Sequence, residues 1–265
     1  MQDLLANSSI YGPVKSWRLG ASLGVDLIMD PSTCSFNCTY CQLGFIQKIT
    51  TVRKLFVSTK KIIDDFKASD WEEANVITFS GSGEPTLAIN IGEVISEIKK
   101  ITDIPIAILT NGTLLNDSNV RADILGANVI SVKLDASDDN VLQVINRPAV
   151  GINIETILLG IKKFKSEFRG KLQMQIMFMP QNKDKINELV SLLNEIKPDE
   201  IALNTPTRPY PSGWDIITRG AHGDDAKKIK HSTKPLKTLT KEEAREIENQ
   251  LKNLTGLKII SVYEH

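Results

Sequence analysis

Cys34-Ser35-Phe36-Asn37-Cys38-Thr39-Tyr40-Cys41 contains every cysteine of the 265-residue chain. Three thiolates on one short loop can hold three irons of a [4Fe-4S] cube, leaving the fourth iron without a protein ligand. Two other readings compete. A structural zinc site wants four ligands, commonly as two paired clusters. Here the fourth would come from His222, His231, His265 or a carboxylate, and the histidines lie far along the chain in a polar segment. A disulfide framework fits poorly, because the cysteine number is odd and such frameworks spread their cysteines along the chain.

Outward from this loop, the pattern is strand then helix. Upstream, Gly and Pro break the first half of residues 11–30 into turns, and Gly24 to Met29 reads as a strand. Downstream, Ser58 to Ala68 is a helix with Ile62, Ile63 and Phe66 on one face and Ser58 or Thr59 as its cap. Residues 75–80 form a strand that runs into Gly81-Ser82-Gly83-Glu84-Pro85. Helices are expected at 89–101, 120–125, 152–168 and 183–195, and strands at 105–110, 128–136, 172–179 and 200–205. Asn146-Arg147-Pro148 is a turn that ends a helix. Thr240 to Leu254 is a helix with a capping box and a terminating Gly256. A last strand spans 257–263.

Helices between strands imply parallel pairing through right-handed crossovers. Six strands counted from Gly24 suit an open (β/α)6 barrel, for a reason visible in the strands. Ser131, Lys133 and Asp135 alternate with Ile130, Val132 and Leu134, and Gln173 and Gln175 alternate with Leu172, Met174 and Ile176. Strands of all-parallel sheets are usually apolar on both faces. A complete barrel fills its centre with branched aliphatics. A polar inner face fits a ligand cavity, with an internal hydrogen-bond network as the alternative.

Composition narrows the class. Hydrophobic residues make up 41% and charged residues 24%, and Lys plus Arg equals Asp plus Glu at 32 each. These values are ordinary for a globular chain with a substantial core. Bulk charge does not advertise a nucleic-acid partner. No run is long and apolar enough to span a bilayer, and the first residues lack the regions of a signal peptide. A cytoplasmic location is expected.

The C-x3-C-x2-C spacing and the Gly-Ser-Gly-Glu-Pro turn resemble the cysteine signature and "GGEP" motif of the radical S-adenosylmethionine (SAM) enzymes. Residues 12–25 are similar to the lead-in "GPVPSRRLGxSLGV" of small members near the wyosine-synthase-like branch, with Trp17 in place of the first Arg and Arg18 keeping the second. The resemblance covers roughly residues 11–210, where each motif stands in its strand or loop context. It implies a partial (β/α)6 TIM-like barrel over 1–210, followed by a short C-terminal extension over 211–265. It also implies a [4Fe-4S] cluster on Cys34, Cys38 and Cys41, with SAM on the open iron. Glu84 would meet the SAM ammonium, on a turn made by Gly81, Ser82 and Gly83. Tyr40 would lie near the adenine, and Asn111, Lys133, Asp135 and Gln175 are further contacts: Lys133 for the carboxylate, Asp135 or Gln175 for a ribose hydroxyl. A Lys133–Asp135 structural ion pair competes with that reading.

The implied activity is reductive cleavage of SAM to a 5′-deoxyadenosyl radical, which takes hydrogen from a second substrate. Reduced flavodoxin or ferredoxin is the expected electron donor. The substrate is open between a small molecule, such as a phosphorylated metabolite, and a modified base of tRNA. Wyosine-type enzymes carry further cysteines for a second cluster, and this chain has none. Arg208 and Tyr210, on a proline-rich loop over the barrel mouth, are the substrate-side candidates, with Arg18 and Arg147 as further cations. Phe36 and Phe45 are expected to shield the cluster. Residues 212–239, with Lys227, Lys228, Lys230, Lys234 and Lys237, read as a basic surface loop. An iron–sulfur carrier without SAM chemistry is the alternative of another class.

Overall fold

The computed structural model describes residues 8–206, 210–214, 219 and 232–263. The chain opens with β1 (Ile10–Ser16) and β2 (Gly20–Val25). Two short strands, β3 (Thr33–Cys34) and β4 (Lys48–Ile49), flank the cysteine loop. Then follow α1 (Thr59–Lys67), β5 (Val76–Phe79), α2 (Ile91–Lys99), β6 (Ile106–Thr110), α3 (Ser118–Ile124) and β7 (Val129–Lys133). After these come α4 (Asp139–Ile145), α5 (Ile154–Glu167), β8 (Lys171–Met177), α6 (Ile186–Ile196) and β9 (Glu200–Asn204). The chain closes with β10 (Tyr210–Pro211), β11 (Thr233–Lys234), α7 (Lys241–Thr255) and β12 (Ile259–Ser261).

The main sheet runs β1-β2-β5-β6-β7-β8-β9-β12 and curls into a partial barrel. Neighbours from β2 to β12 pair in parallel. Five of the six expected strands lie where the sequence places them; the first is displaced, since β2 occupies Gly20–Val25 and residues 26–29 form no strand, and the sheet has two further members, β1 and β12. The strand β1 is antiparallel to β2, with a register shift between Tyr11 and Val14. Gly12-Pro13 reads as a turn, but an edge strand tolerates such an interruption as a bulge. At the other edge, β12 continues the parallel ladder beside β9, so the last strand of the expected extension is a member of the main sheet.

Side-chain caps fix the helix starts. Ser58 accepts from Lys61 N, Asp138 from Val141 N and Asn153 from Thr156 N. Each satisfies a backbone donor that the first turn leaves open. The expected capping box of Thr240 and Glu243 is present, and Gly256 ends α7. The sequence signalled α4 only through the turn behind it. The apolar faces of the helices pack on the outside of the sheet, where Ile62, Phe66, Ile91, Ile98, Ile161 and Phe164 are fully buried with Ile130 and Val132. The polar sides of the strands therefore face the barrel interior.

Candidate active site

The cysteine loop sits at the carboxyl ends of the strands, where barrel chemistry gathers. Backbone bonds pin it from two sides. Thr33 N donates to Ser82 O (3.1 Å), and Glu84 N to Thr33 O (3.1 Å). Asn37 N donates to Asn146 O (2.9 Å), Thr39 N to Ile145 O (2.9 Å) and Ala149 N to Ser35 O (2.8 Å). The end of α4 is thus a cradle for the loop. Cys34, Cys38 and Cys41 all line one cavity of about 320 Å³. Phe36 N (3.4 Å) and Asn111 Nδ2 (3.5 Å) point at the Cys34 sulfur, and Asn146 Nδ2 (3.5 Å) at that of Cys38. Burial pushes all three thiols up, Cys41 to about 12, and the neighbouring sulfurs add to this for Cys34 and Cys41. Thiols so placed ionise when a positive centre takes them. Among the described residues, no three His, Cys, Asp or Glu side chains converge as ligands of a single ion.

Glu84 lines the same cavity and is buried. Its Oε1 accepts from Thr86 N (3.1 Å), Thr86 Oγ1 (2.7 Å) and Thr110 Oγ1 (2.6 Å), and its Oε2 from Asn111 N (2.7 Å). Burial raises its carboxyl above the usual range, against the pull of these hydrogen bonds. No cationic side chain among the described residues pairs with it. A buried carboxylate of this kind is matched to a cationic ligand. The glycines beside it line the cavity and are also crowded from within the chain. A Cβ on Gly83 would lie 1.7 Å from Thr33 O, and one on Gly81, at φ +120°, would lie 2.5 Å from Asp26 Cγ. The cysteine strand and Asp26 crowd the turn at these two positions. The Ser82 hydroxyl turns away from the cavity and donates to Asp26 Oδ2 (2.5 Å).

Lys133 and Gln175 are register partners on β7 and β8 and both line the cavity. Lys133 Nζ lies 5.0 Å from the centre of the Tyr40 ring and 3.9 Å from Asp135. Gln175 Oε1 accepts from Arg18 Nη1 (3.0 Å), which brings the β1–β2 turn across the interior. Farther down, Ser131 donates to Gln173 Oε1 (2.8 Å), and Gln173 to Glu200 Oε1 (2.7 Å). The inner face is therefore a cavity at Lys133 and Gln175 and an internal network at Gln173.

Asp135 stands elsewhere. The strand ends at Lys133, so alternation no longer sets its direction. Its carboxylate accepts from Met177 N (2.8 Å), Asn146 Nδ2 (2.8 Å) and the Tyr40 hydroxyl, beneath the cysteine loop and outside the main cavity. Asn111 is tied to Ser35 Oγ (2.8 Å) as well as to Cys34. Tyr210 is half-buried, and its hydroxyl is raised by burial and by Cys41, with Arg147 pulling the other way. Arg208 lies outside the described residues, as do Lys227, Lys228, Lys230 and the three histidines. Phe36 is buried at the cavity, but Phe45 is exposed, so the expected shielding falls instead to Leu43 and Ile46.

Two groups escaped the sequence reading. Asn146 joins Cys38 to Asp135, and only the turn behind α4 hinted at it. Arg219, within the stretch expected as a surface loop, is buried. It donates from Nη1 to Asp26 Oδ2 (2.9 Å) and from Nη2 to Ser8 O (2.5 Å), and it lies 5.3 Å from the Tyr11 ring centre. No local signal could have found that pair.

A curled parallel sheet with three cysteines and a buried carboxylate opening on one cavity at its carboxyl end defines a class. The radical SAM superfamily profile matches residues 30–193, and the chain belongs to that superfamily. It is 44% identical over 249 residues to the UPF0026 protein slr1464 of Synechocystis, covering 94% of this chain and 92% of that one. Among solved structures, it is similar to TYW1 with a lysine-pyruvate adduct bound (TM-score 0.63, 17% identity, 92% of this chain and 77% of the other). It is also similar to Streptococcus suis SuiB bound to S-adenosylmethionine (TM-score 0.62, 15% identity, 87% of this chain and 48% of the other). At these identities the two structures speak for the fold.

Proposed function

We propose that this protein is a radical SAM enzyme that cleaves SAM reductively and abstracts hydrogen from a second substrate in the same cavity. One observation carries the reading: three cysteines and a buried carboxylate, with no cationic partner among the described residues, open on one cavity. Cys34, Cys38 and Cys41 would hold a [4Fe-4S] cluster, and their donor set fits it, since N–H groups aimed at two of the sulfurs suit thiolates. When bound, the cluster supplies an electron to SAM, which yields methionine and a 5′-deoxyadenosyl radical. The protein supplies orientation and a shielded space.

Glu84 accepts the SAM ammonium in a charge-assisted hydrogen bond. Lys133 attracts the carboxylate, and Gln175 offers its amide to a ribose hydroxyl. Asp135 holds Tyr40 and Asn146 in place beneath the loop, a positioning role in place of a ribose contact. Phe36, Leu43 and Ile46 exclude water from the cavity wall. A reduced flavodoxin or ferredoxin serves as electron donor, in the cytoplasm. No helix among the described residues is long and apolar enough to cross a membrane. The second substrate is a small molecule or a modified base.

Anaerobic reconstitution with iron and sulfide, then SAM and dithionite, should release 5′-deoxyadenosine detectable by chromatography. Full iron content without that product would favour an electron carrier. Zinc without iron after anaerobic isolation would favour a zinc protein. Cys38→Ala should abolish the visible absorbance of the cluster, and its retention would mean that the ligand set is wrong.

A further inference from the structure

We propose that the exposed strap formed by residues 45–56 is the docking surface of the electron donor, a small acidic protein carrying a low-potential one-electron centre. This rests on the reading of the chain as a reductively driven enzyme. The strap is physically joined to the cysteine loop. Its strand β4 pairs with β3, placing Ile49 opposite Cys34, and Thr50 N donates to Cys34 O (3.0 Å). One hydrogen bond therefore separates the protein surface from a ligand residue.

The strap shows solvent a row of large apolar side chains. Phe45, Ile49, Val52 and Leu55 are all exposed, Val52 at 68%. Ile89 extends the row, since Ile89 N donates to Lys54 O (3.2 Å), and it too is exposed. Single exposed apolar residues are ordinary, but a run of them marks a contact surface.

Charge selects the partner. From Pro31 to Ile63 there is no Asp or Glu, while Lys48, Arg53, Lys54, Lys60 and Lys61 fall in this span of a chain with zero formal net charge. Three of the five are committed within the protein. Arg53 turns inward to Asp123 (2.6 Å), Thr86 O (3.0 Å) and Ala88 O (3.1 Å), which fastens the strap. Lys60 and Lys61 pair with Asp64 and Asp65. Lys48 and Lys54 are exposed, Lys54 above the Phe56 ring at 4.6 Å. A small apolar centre with a basic rim suits a brief, electrostatically steered encounter. A nucleic acid would use the lysines but gain little from Ile49, Val52 and Leu55. In the transfer the partner's centre loses one electron and the cluster gains one; no bond or proton changes hands at this surface.

The test compares two reductants on the reconstituted holoenzyme. One is a flavodoxin of net negative charge, kept reduced by its reductase; the other is dithionite, which needs no docking. For the pair Lys48→Glu and Lys54→Glu, the flavodoxin KM for 5′-deoxyadenosine formation should rise about tenfold, and added salt should raise the wild-type KM more than the variant's. The dithionite rate should stay within about twofold of wild type, because neither lysine touches the cavity. Val52→Ser with Leu55→Ser should weaken flavodoxin binding in surface plasmon resonance without altering iron content. Equal flavodoxin kinetics in variant and wild type would overturn the inference. So would equal losses with both reductants, wild type inactive with flavodoxin but active with dithionite, or single-stranded RNA binding the strap as tightly as flavodoxin does. A wild type that makes no 5′-deoxyadenosine with dithionite would instead sink the parent reading.

Discussion

Glu84→Gln removes one charge from the cavity wall and keeps the shape of the side chain. The native carboxylate accepts four hydrogen bonds, three on Oε1 and one on Oε2. An amide does best with its oxygen on the crowded side, which sets its NH2 against Asn111 N–H, donor facing donor. One buried donor left unmatched costs about 1–3 kcal/mol of stability. In a chain of this size that lowers Tm by about 2–4 °C for each kcal/mol. The ligand term is separate. A hydrogen bond to a charged group contributes about 1.5–3 kcal/mol, so loss of the ammonium contact should weaken SAM binding about 10- to 150-fold. Titration calorimetry on reconstituted protein, at matched iron content, reads this directly. SAM affinity within about threefold of wild type, with iron intact, would refute the assignment. The pH dependence gives a second check. Burial raises the Glu84 carboxyl, so its contribution to stability is fully present below the unfolded value of about 4.3 and lost as pH climbs through the raised folded one. Unliganded wild type should lose stability relative to the glutamine variant across that window.

Gly83→Ala forces a Cβ to within 1.7 Å of Thr33 O; backbone must move, and urea unfolding should register a loss of about 3 kcal/mol. A loss below about 1 kcal/mol would mean the turn relaxes freely. Asn146→Ala removes the donor 3.5 Å from Cys38 Sγ, so the cluster potential should become more negative in an EPR-monitored redox titration; an unchanged or higher potential counts against the contact. Arg219→Met strips the partner from buried Asp26 and should cost about 3–5 kcal/mol in chemical denaturation. Asp26→Asn in the same background should restore part of it, and no restoration would point to lost packing on Tyr11 instead.

The cysteine spacing, the Gly-Ser-Gly-Glu turn and the alternating polarity of residues 129–135 and 172–178 were readable along the chain. Each depends on short covalent spacing: ligands close enough to share one cluster, or a side-chain period of two that separates the faces of a strand. Helix caps were legible for the same reason, since Ser58 and Thr240 act on donors three residues away. Closure of the sheet decided the rest. It set Lys133 beside Gln175, carried Arg18 across the interior and placed Asn146 against Cys38, 108 positions away. It also buried Arg219 on Asp26 across 193 positions. Asp135 shows the boundary between the two: its residue type was read from the chain, but once the strand stopped at Lys133, only packing beneath the loop could choose its partners. Local sequence fixes what a side chain can do; which groups it meets depends on contacts between distant segments, and no local period encodes those.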